Sequence, residues 1–203
     1  MARIVLVRHG QTGWNKQERF RGWVDIDLDD TGRSQAQAAA GRISQWDAAA
    51  VYSSPLKRAM STAQALADTA GLTVEPVEGI TDMNFGVWQG MSIAEVEDTY
   101  PEQFDLWRHR PHELEIPEGE TLEDVRRRTT ATIEELAAKH DGETIAVVTH
   151  RVVCKVLICH LLGLDNSHFW QIEQDTTAIN IFELDDGKTT VHLINDTCHL
   201  RTT

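Results

Sequence analysis

The sequence predicts an α/β protein: a three-layer α/β/α domain with a mostly parallel sheet and a small helical cap insertion. Three observations carry this. Short apolar runs alternate with longer amphipathic ones along most of the chain. Two of those apolar runs, Ile4-Val5-Leu6-Val7 and Ile145-Ala146-Val147-Val148, each end at a histidine just before helical patterning starts. No internal repeat, low-complexity tract or linker divides the 203 residues, which suit one domain with its own buried core.

The elements follow in order. Ile4–Val7 reads as a strand, 32–46 as a helix and 50–52 as a strand. A second helix over 55–70 opens on Pro55, a favoured first helical residue. A short strand over 73–77 leads to a glycine-rich stretch near 82–90. Helical patterning returns at 93–98 and 103–108. A long amphipathic helix over 122–139 follows Thr121, with Asp124 three residues on as a capping signal. Residues 144–149 read as a buried strand and 152–162 as an apolar helix closed by Gly163. A hairpin of 179–184 and 190–194, turning through Asp186-Gly187, ends the pattern. The proline-punctuated stretch 92–120 is the expected insertion over the sheet's edge, and its pattern suits a cap over a binding site and a plain solvated helix with a loop about equally. Strand 179–184, if left at an edge, offers a route to a homodimer by extending the sheet; a covered edge fits the pattern equally well.

Composition narrows the function. Hydrophobic residues make up 41% and charged residues 25%, ordinary for a globular chain, and no apolar run approaches bilayer length. The chain starts directly on a strand with no charged-then-apolar leader, and Cys154, Cys159 and Cys198 have no metal-like spacing. A cytoplasmic protein without structural disulfides is expected. A formal net charge of −13 excludes nucleic acid and anionic membrane surfaces as partners. Against that acidity, Arg8, Arg19, Arg21, Lys57, Arg58 and Arg151 collect in or beside the candidate motifs, as an anionic small-molecule substrate requires.

Four segments carry chemistry. Arg8-His9-Gly10-Gln11-Thr12-Gly13-Trp14-Asn15 delivers a cation, an imidazole and small polar groups to the carboxyl end of a strand, the edge where ligands of open α/β sheets collect. Ser53-Ser54-Pro55-Leu56-Lys57-Arg58-Ala59 puts Arg58 in the first turn of a helix, where a guanidinium and exposed amides favour an anion. Thr149-His150-Arg151 repeats the histidine-after-strand arrangement. Asp82, in a loop rich in glycine and aromatic residues, has the character of a general acid whose pKa burial would raise. Alone, each of these residues also fits a surface or core role; together they suit phosphoryl transfer to a histidine.

The chain resembles the histidine phosphatase superfamily, the phosphoglycerate mutase-like proteins. The family's Arg-His-Gly-x-Thr-x-x-Asn is matched by Arg8, His9, Gly10, Thr12 and Asn15, and its continuation by Gly22, Trp23, Asp25, Leu28 and Gly32. Ser-Pro-Leu-x-Arg-Ala-x-x-Thr-Ala matches Ser54 to Ala63, and Phe-Gly-x-Trp-x-Gly matches Phe85 to Gly90. Gly119-Glu120 resembles the family's Gly-Glu-Ser segment, and Thr149-His150 completes a set spanning nearly the whole chain.

The resemblance implies that His9 is phosphorylated, that Arg8, Arg58 and His150 hold the equatorial oxygens, and that Asn15 donates to the same phosphate. It implies that Asp82 protonates the leaving oxygen and later deprotonates water. No metal or other cofactor is then needed; a metal held by His9, His150 and Asp82 is the less favoured arrangement. The C-terminal third, with Phe169-Trp170 and the ending through His199, is similar to metal-independent phosphoserine phosphatases, which makes His199 a candidate for substrate recognition.

Several positions depart from the family pattern. Asp82 stands where many relatives carry glutamate, and Phe85 where phosphoserine phosphatases can carry histidine. Arg21 replaces a frequent glutamine, while Arg151 and Val152 replace a Gly-Gly; both arginines are candidates for binding a substrate carboxylate or the phosphate itself. The expected function is a phosphatase acting on a small phosphorylated metabolite, with phosphoserine the first to test. A cofactor-dependent phosphoglycerate mutase is the alternative, disfavoured because such relatives are longer. A phosphate-binding protein without catalysis is the third, disfavoured because binding alone needs no nucleophile.

Overall fold

The computed structural model describes residues 1–201. Six strands form one sheet in the order β3-β2-β4-β1-β5-β6. Strands β1 (Ala2–Arg8), β2 (Ala50–Ser53), β3 (Val74–Pro76) and β4 (Thr144–Thr149) run parallel, and β5 (Ile179–Asp185) and β6 (Lys188–Asp196) add an antiparallel hairpin beside β1. Period-two alternation sorts the side chains onto two faces. Ile4, Leu6, Ile145 and Val147 enter one core, while Val5, Val7, Ala146 and Val148 enter the other.

Helices cover both faces. Helix α1 (Gly13–Lys16) is a single turn in the loop after β1. Helices α2 (Asp30–Ile43) and α3 (Lys57–Ala70) pack on the second face through alanines at 36, 39, 40, 59, 63 and 67. Helices α4 (Ile93–Thr99), α5 (Pro101–His109), α6 (Leu122–Lys139) and α7 (Arg151–Leu161) contribute to the first core. The expected insertion is therefore built into that core: its Phe104, Trp107, Leu114 and Ile116 are buried there.

Several boundaries differ from the sequence reading for local reasons. Helix α2 starts at Asp30, because Asp29 accepts a hydrogen bond from Gly32 N and caps the first turn. Helix α3 starts at Lys57, after Pro55: Leu56 stays extended (ψ 137°) as the N-cap, and the Asp25 carboxylate accepts from Lys57 N at 2.8 Å. The Thr121–Asp124 capping box forms as expected, and Gly163 (φ 73°) follows the end of α7. The hairpin turns through Asp186 and Gly187, both at positive φ. The edge of strand 179–184 is covered: β5 pairs with β1 on one side and β6 on the other. Dimerisation through that strand is thereby ruled out. Among the described residues, no helix is long and apolar enough to cross a membrane.

The parallel register does the positioning. Arg8 pairs with Thr149 across β1 and β4, so His9 and His150, the next residue on each chain, emerge side by side at the carboxyl edge. The loop after β1 is fixed by a close crossing with α2, where a Cβ on Gly32 would lie 2.0 Å from Gln11 O. Gly32→Ala is expected to lower stability by about 1–3 kcal/mol, because backbone faces backbone there and neither can yield; urea denaturation against the wild-type protein measures it.

Candidate active site

The His9 side chain is fully buried at the end of β1. Its Nδ1 lies 2.6 Å from Gly10 O, so Nδ1 carries the proton and donates it. That leaves the Nε2 lone pair exposed to reaction, and Nε2 is buried with no hydrogen-bond partner among the described residues. The backbone is tied on both sides: His9 N donates to Thr149 O at 2.8 Å, and Gly10 N donates to Thr62 Oγ1 at 3.0 Å. Burial first, then the charges of Arg58, Arg8 and Arg21, hold the His9 pKa well below its ordinary value. The ring is neutral at pH 7, as a nucleophile must be.

His150 stacks edge-on to His9, with ring centroids 5.2 Å apart. Because Arg58 Nε is donor-only, His150 Nδ1 accepts from it at 3.3 Å; His150 Nε2 then donates to Ser54 Oγ at 2.7 Å. Burial and the charge of Arg58 depress this histidine too. Arg58 is also fully buried. Its Nη1 donates to Val24 O, and its Nη2 donates to Gly22 O and to Asp82 Oδ2 at 3.0 Å. Asp82 thus pairs with a guanidinium instead of standing among apolar rings, and its Oδ1 accepts from Met83 N. Its Oδ2 lies 3.6 Å from His150 Nδ1.

A cavity of about 240 Å³ opens beside this cluster. Arg8, Asn15, Arg21, Asp82 and Arg151 give it a polar side, and Trp14, Phe20, Phe85, Trp107 and Trp170 an aromatic one. His9, Arg58 and His150 lie behind this lining, with Arg8 and Asp82 between the chain segments that carry them and the cavity. Arg8 donates to Gln174 O at 2.6 Å, while its Nε and that of Arg21 are buried without partners among the described residues. Burial, with the mutual repulsion of neighbouring arginines, lowers Arg8 to about 9 and Arg21 to about 10; both remain protonated at neutral pH. The carboxamide oxygen of Asn15 caps Thr12 through Thr12 N and Thr12 Oγ1, which turns its amide group outward as a donor. Arg151 lies over the Trp170 ring at 5.5 Å, and the buried Lys155, lowered to about 8 by burial, lies 4.4 Å from the same ring.

The structure thus brings Arg8, His9, Asn15, Arg21, Arg58, Asp82, His150 and Arg151 to one place. His199, like His9, Arg58 and His150, does not line the cavity: it lies 3.2 Å from Thr177 Oγ1, and Thr177 N donates to His9 O at 3.4 Å, so the tail, which packs against α2, meets the turn behind His9. Among the described residues, no group of three or more His, Cys, Asp or Glu side chains is arranged to hold a metal ion. Sequence reasoning missed Arg128, whose guanidinium donates to Asp82 O at 3.0 Å; its only signal is an arginine beside the buried Val125 and Thr129 stripe of α6.

The two buried histidines make stability depend on pH. Their folded-state pKa values are depressed, so the unfolded chain binds protons that the fold refuses. Their contribution is fully present above about pH 6.5 and declines as pH falls below it, by about 1.4 kcal/mol per pH unit for each histidine. Urea denaturation at pH 5–6 should show a slope that His9→Gln flattens; an unchanged slope would contradict the neutral, buried state of His9.

Comparison with known proteins agrees with this geometry. Phosphoserine phosphatase 1 of Hydrogenobacter thermophilus is 36% identical over 200 residues, covering 98% of this chain and 95% of that protein. A metal-independent phosphoserine phosphatase of Arabidopsis thaliana is 33% identical, over 97% of this chain and 82% of that one. The solved structure of Bacillus stearothermophilus YhfR superposes with a TM-score of 0.95 at 30% identity, covering 99% of this chain and all of that one. Residues 4–197 match the histidine phosphatase superfamily (branch 1), and the chain is a member of that family and a phosphatase of its kind.

Proposed function

We propose that this protein is a metal-independent phosphatase that hydrolyses a small phosphomonoester through a phosphohistidine on His9. The observation that carries the reading is the neutral Nε2 of His9, left without a hydrogen-bond partner among the described residues by the Nδ1–Gly10 hydrogen bond and set in the field of Arg8, Arg21 and Arg58. In the first step the Nε2 lone pair forms a bond to phosphorus while the ester P–O bond breaks. Asp82, paired with Arg58 as a carboxylate, takes up a proton from solvent when the ester binds and gives it to the departing oxygen. In the second step a water oxygen attacks phosphorus, Asp82 takes the proton from that water, and the N–P bond electrons return to Nε2. Inorganic phosphate and an alcohol result, and His9 and Asp82 are restored once Asp82 returns its proton to solvent.

Arg8, Arg58, His150 and Asn15 are assigned to the oxygens of the transferred group, where charge must be stabilised. Arg58 and His150 make protein contacts that the phosphate would partly replace. Positive charge for the transfer comes from the side chains themselves, so none is required from a metal. The assay is phosphate release from phosphoserine, 3-phosphoglycerate and p-nitrophenyl phosphate with a chelator present. Turnover should survive the chelator and fall by at least about 10⁴-fold in His9→Ala. Abolition by the chelator, or a fully active His9→Ala protein, would overturn the reading.

Phosphoserine is the first ester to try because two of the relatives carry that activity in their names. A second feature favours a substrate with its own carboxylate. Arg21 and Arg151 line the cavity in addition to the cations assigned to phosphate, which leaves positive charge for a second anionic group. Arg151→Ala is expected to lower kcat/KM for 3-phosphoglycerate at least about tenfold more than for p-nitrophenyl phosphate, since a charge-assisted hydrogen bond contributes about 1.5–3 kcal/mol. Equal losses on both esters would assign Arg151 to the phosphate.

A further inference from the structure

The proton donor assigned above sits on a loop with little regular structure of its own. Residues 81–85 join two single-turn helices, Glu78–Ile80 and Gly86–Trp88. An aspartate has only two side-chain torsions, so the reach of its carboxyl group is set by where this backbone lies. Arg128, entering from α6, holds it with every N–H of its guanidinium. Nη1 donates to Gly79 O at 3.0 Å and Thr81 O at 2.7 Å, and Nη2 donates to Asp82 O at 3.0 Å. The remaining two donors, on Nε and Nη2, bind Glu120 Oε1 at 2.7 Å and Oε2 at 3.0 Å.

Glu120 closes the arrangement from the other side. Its Oε2 accepts from Asn84 N at 2.8 Å, and its own N donates to Asn84 O at 2.9 Å. Gly86, at φ 47°, lets the next turn meet the 117–119 backbone, where a Cβ would lie 2.0 Å from Pro117 O. Trp23 Nε1 adds a further donor to Asp82 O at 2.8 Å. The Arg128–Glu120 pair is only partly exposed, with side chains 23% and 18% accessible, so solvent screens it incompletely. Neither side chain lines the cavity that holds Arg8 and Asp82.

We propose that Arg128 and Glu120 are positioning residues for proton transfer: together they fix the Asp82 backbone so that its carboxyl group meets the leaving oxygen. The inference rests on the assignment of Asp82 as proton donor. It predicts a selective defect. A misplacement of about 1 Å costs on the order of a hundredfold at a reacting group, but only where the displaced group is needed. Leaving groups that depart as stable anions need no proton; poor ones do. A lysine at 128 keeps the charge but is a single point with three donors, so it cannot span three carbonyls and a carboxylate.

The test is kcat/KM, which reports the phosphorylation step, for a series of aryl phosphates from p-nitrophenyl to phenyl phosphate. The proteins are the wild type, Arg128→Lys, Glu120→Gln and Asp82→Asn. In Arg128→Lys and Glu120→Gln, phenyl phosphate turnover should fall about 10–100-fold and p-nitrophenyl phosphate turnover less than about threefold. The slope against leaving-group acidity then steepens toward that of Asp82→Asn. Equal losses along the series, or none, with Asp82→Asn still selective, would overturn the positioning role alone. A flat response in Asp82→Asn would overturn the donor assignment, and the positioning role with it. Glu120→Gln keeps size and one acceptor oxygen but sets an NH2 donor against the donors of Arg128 or Asn84, so it carries the test if Arg128→Lys does not fold.

Discussion

The buried Arg58–Asp82 contact is the interaction on which the site depends. Arg58 reaches from the first turn of α3 to the carbonyls of Gly22 and Val24, to the His150 ring and to the Asp82 carboxylate. One side chain thereby joins four segments distant in sequence. Burying a guanidinium is costly unless its donors are met, and removing one partner of a buried ion pair typically costs about 3–5 kcal/mol. Here two carbonyls, an imidazole and a carboxylate meet the donors. The constraint acts in both directions: it holds Arg58 charged in a dry site, and it holds Asp82 beside His150, whose ring packs on that of His9.

Around that contact the sheet supplies the frame. Strands β1 and β4 are adjacent and parallel, so residues separated by most of the chain length arrive as neighbours. The electrostatic consequence is local. A chain with a formal charge of −13 gathers Arg8, Arg21, Arg58 and Arg151 where burial lowers the pKa values of three of them, with arginine repulsion adding to it at Arg8 and Arg21. A phosphate dianion relieves that repulsion when it binds. Burial first, and then the same cations, keep His9 and His150 neutral, which ties the nucleophile's readiness in part to the groups that bind its substrate.

Much of this was legible in the sequence, and the exceptions have physical causes. The strand-then-histidine segments and Arg58 are local patterns, and the sheet brings them together as expected. The start of α3 was misplaced because Pro55 suits a first helical turn, yet Asp25, thirty-two residues earlier, supplies the capping carboxylate at Lys57 instead. Whether β5 is an edge depends on where β6 pairs, which no local pattern records. The contact that carries His199, Thr177 Oγ1, was not legible in the sequence, because it depends on where the tail folds back. Arg128 was invisible because its function depends on carbonyl oxygens, whose positions carry no residue signature. Asp82 was found by its setting, but its buried partner, a guanidinium, comes from a segment read separately.

The central claim is that phosphorus is transferred twice, first to His9 and then to water. The stereochemical course at phosphorus tests it most directly, using a phosphorothioate monoester that carries two oxygen isotopes beside sulfur and water of the third isotope, so that the product thiophosphate is chiral. Two in-line displacements each invert the centre, so the account predicts net retention in the product or in phosphoryl transfer to an acceptor alcohol. Net inversion would mean a single direct attack by water and would contradict the role assigned to His9.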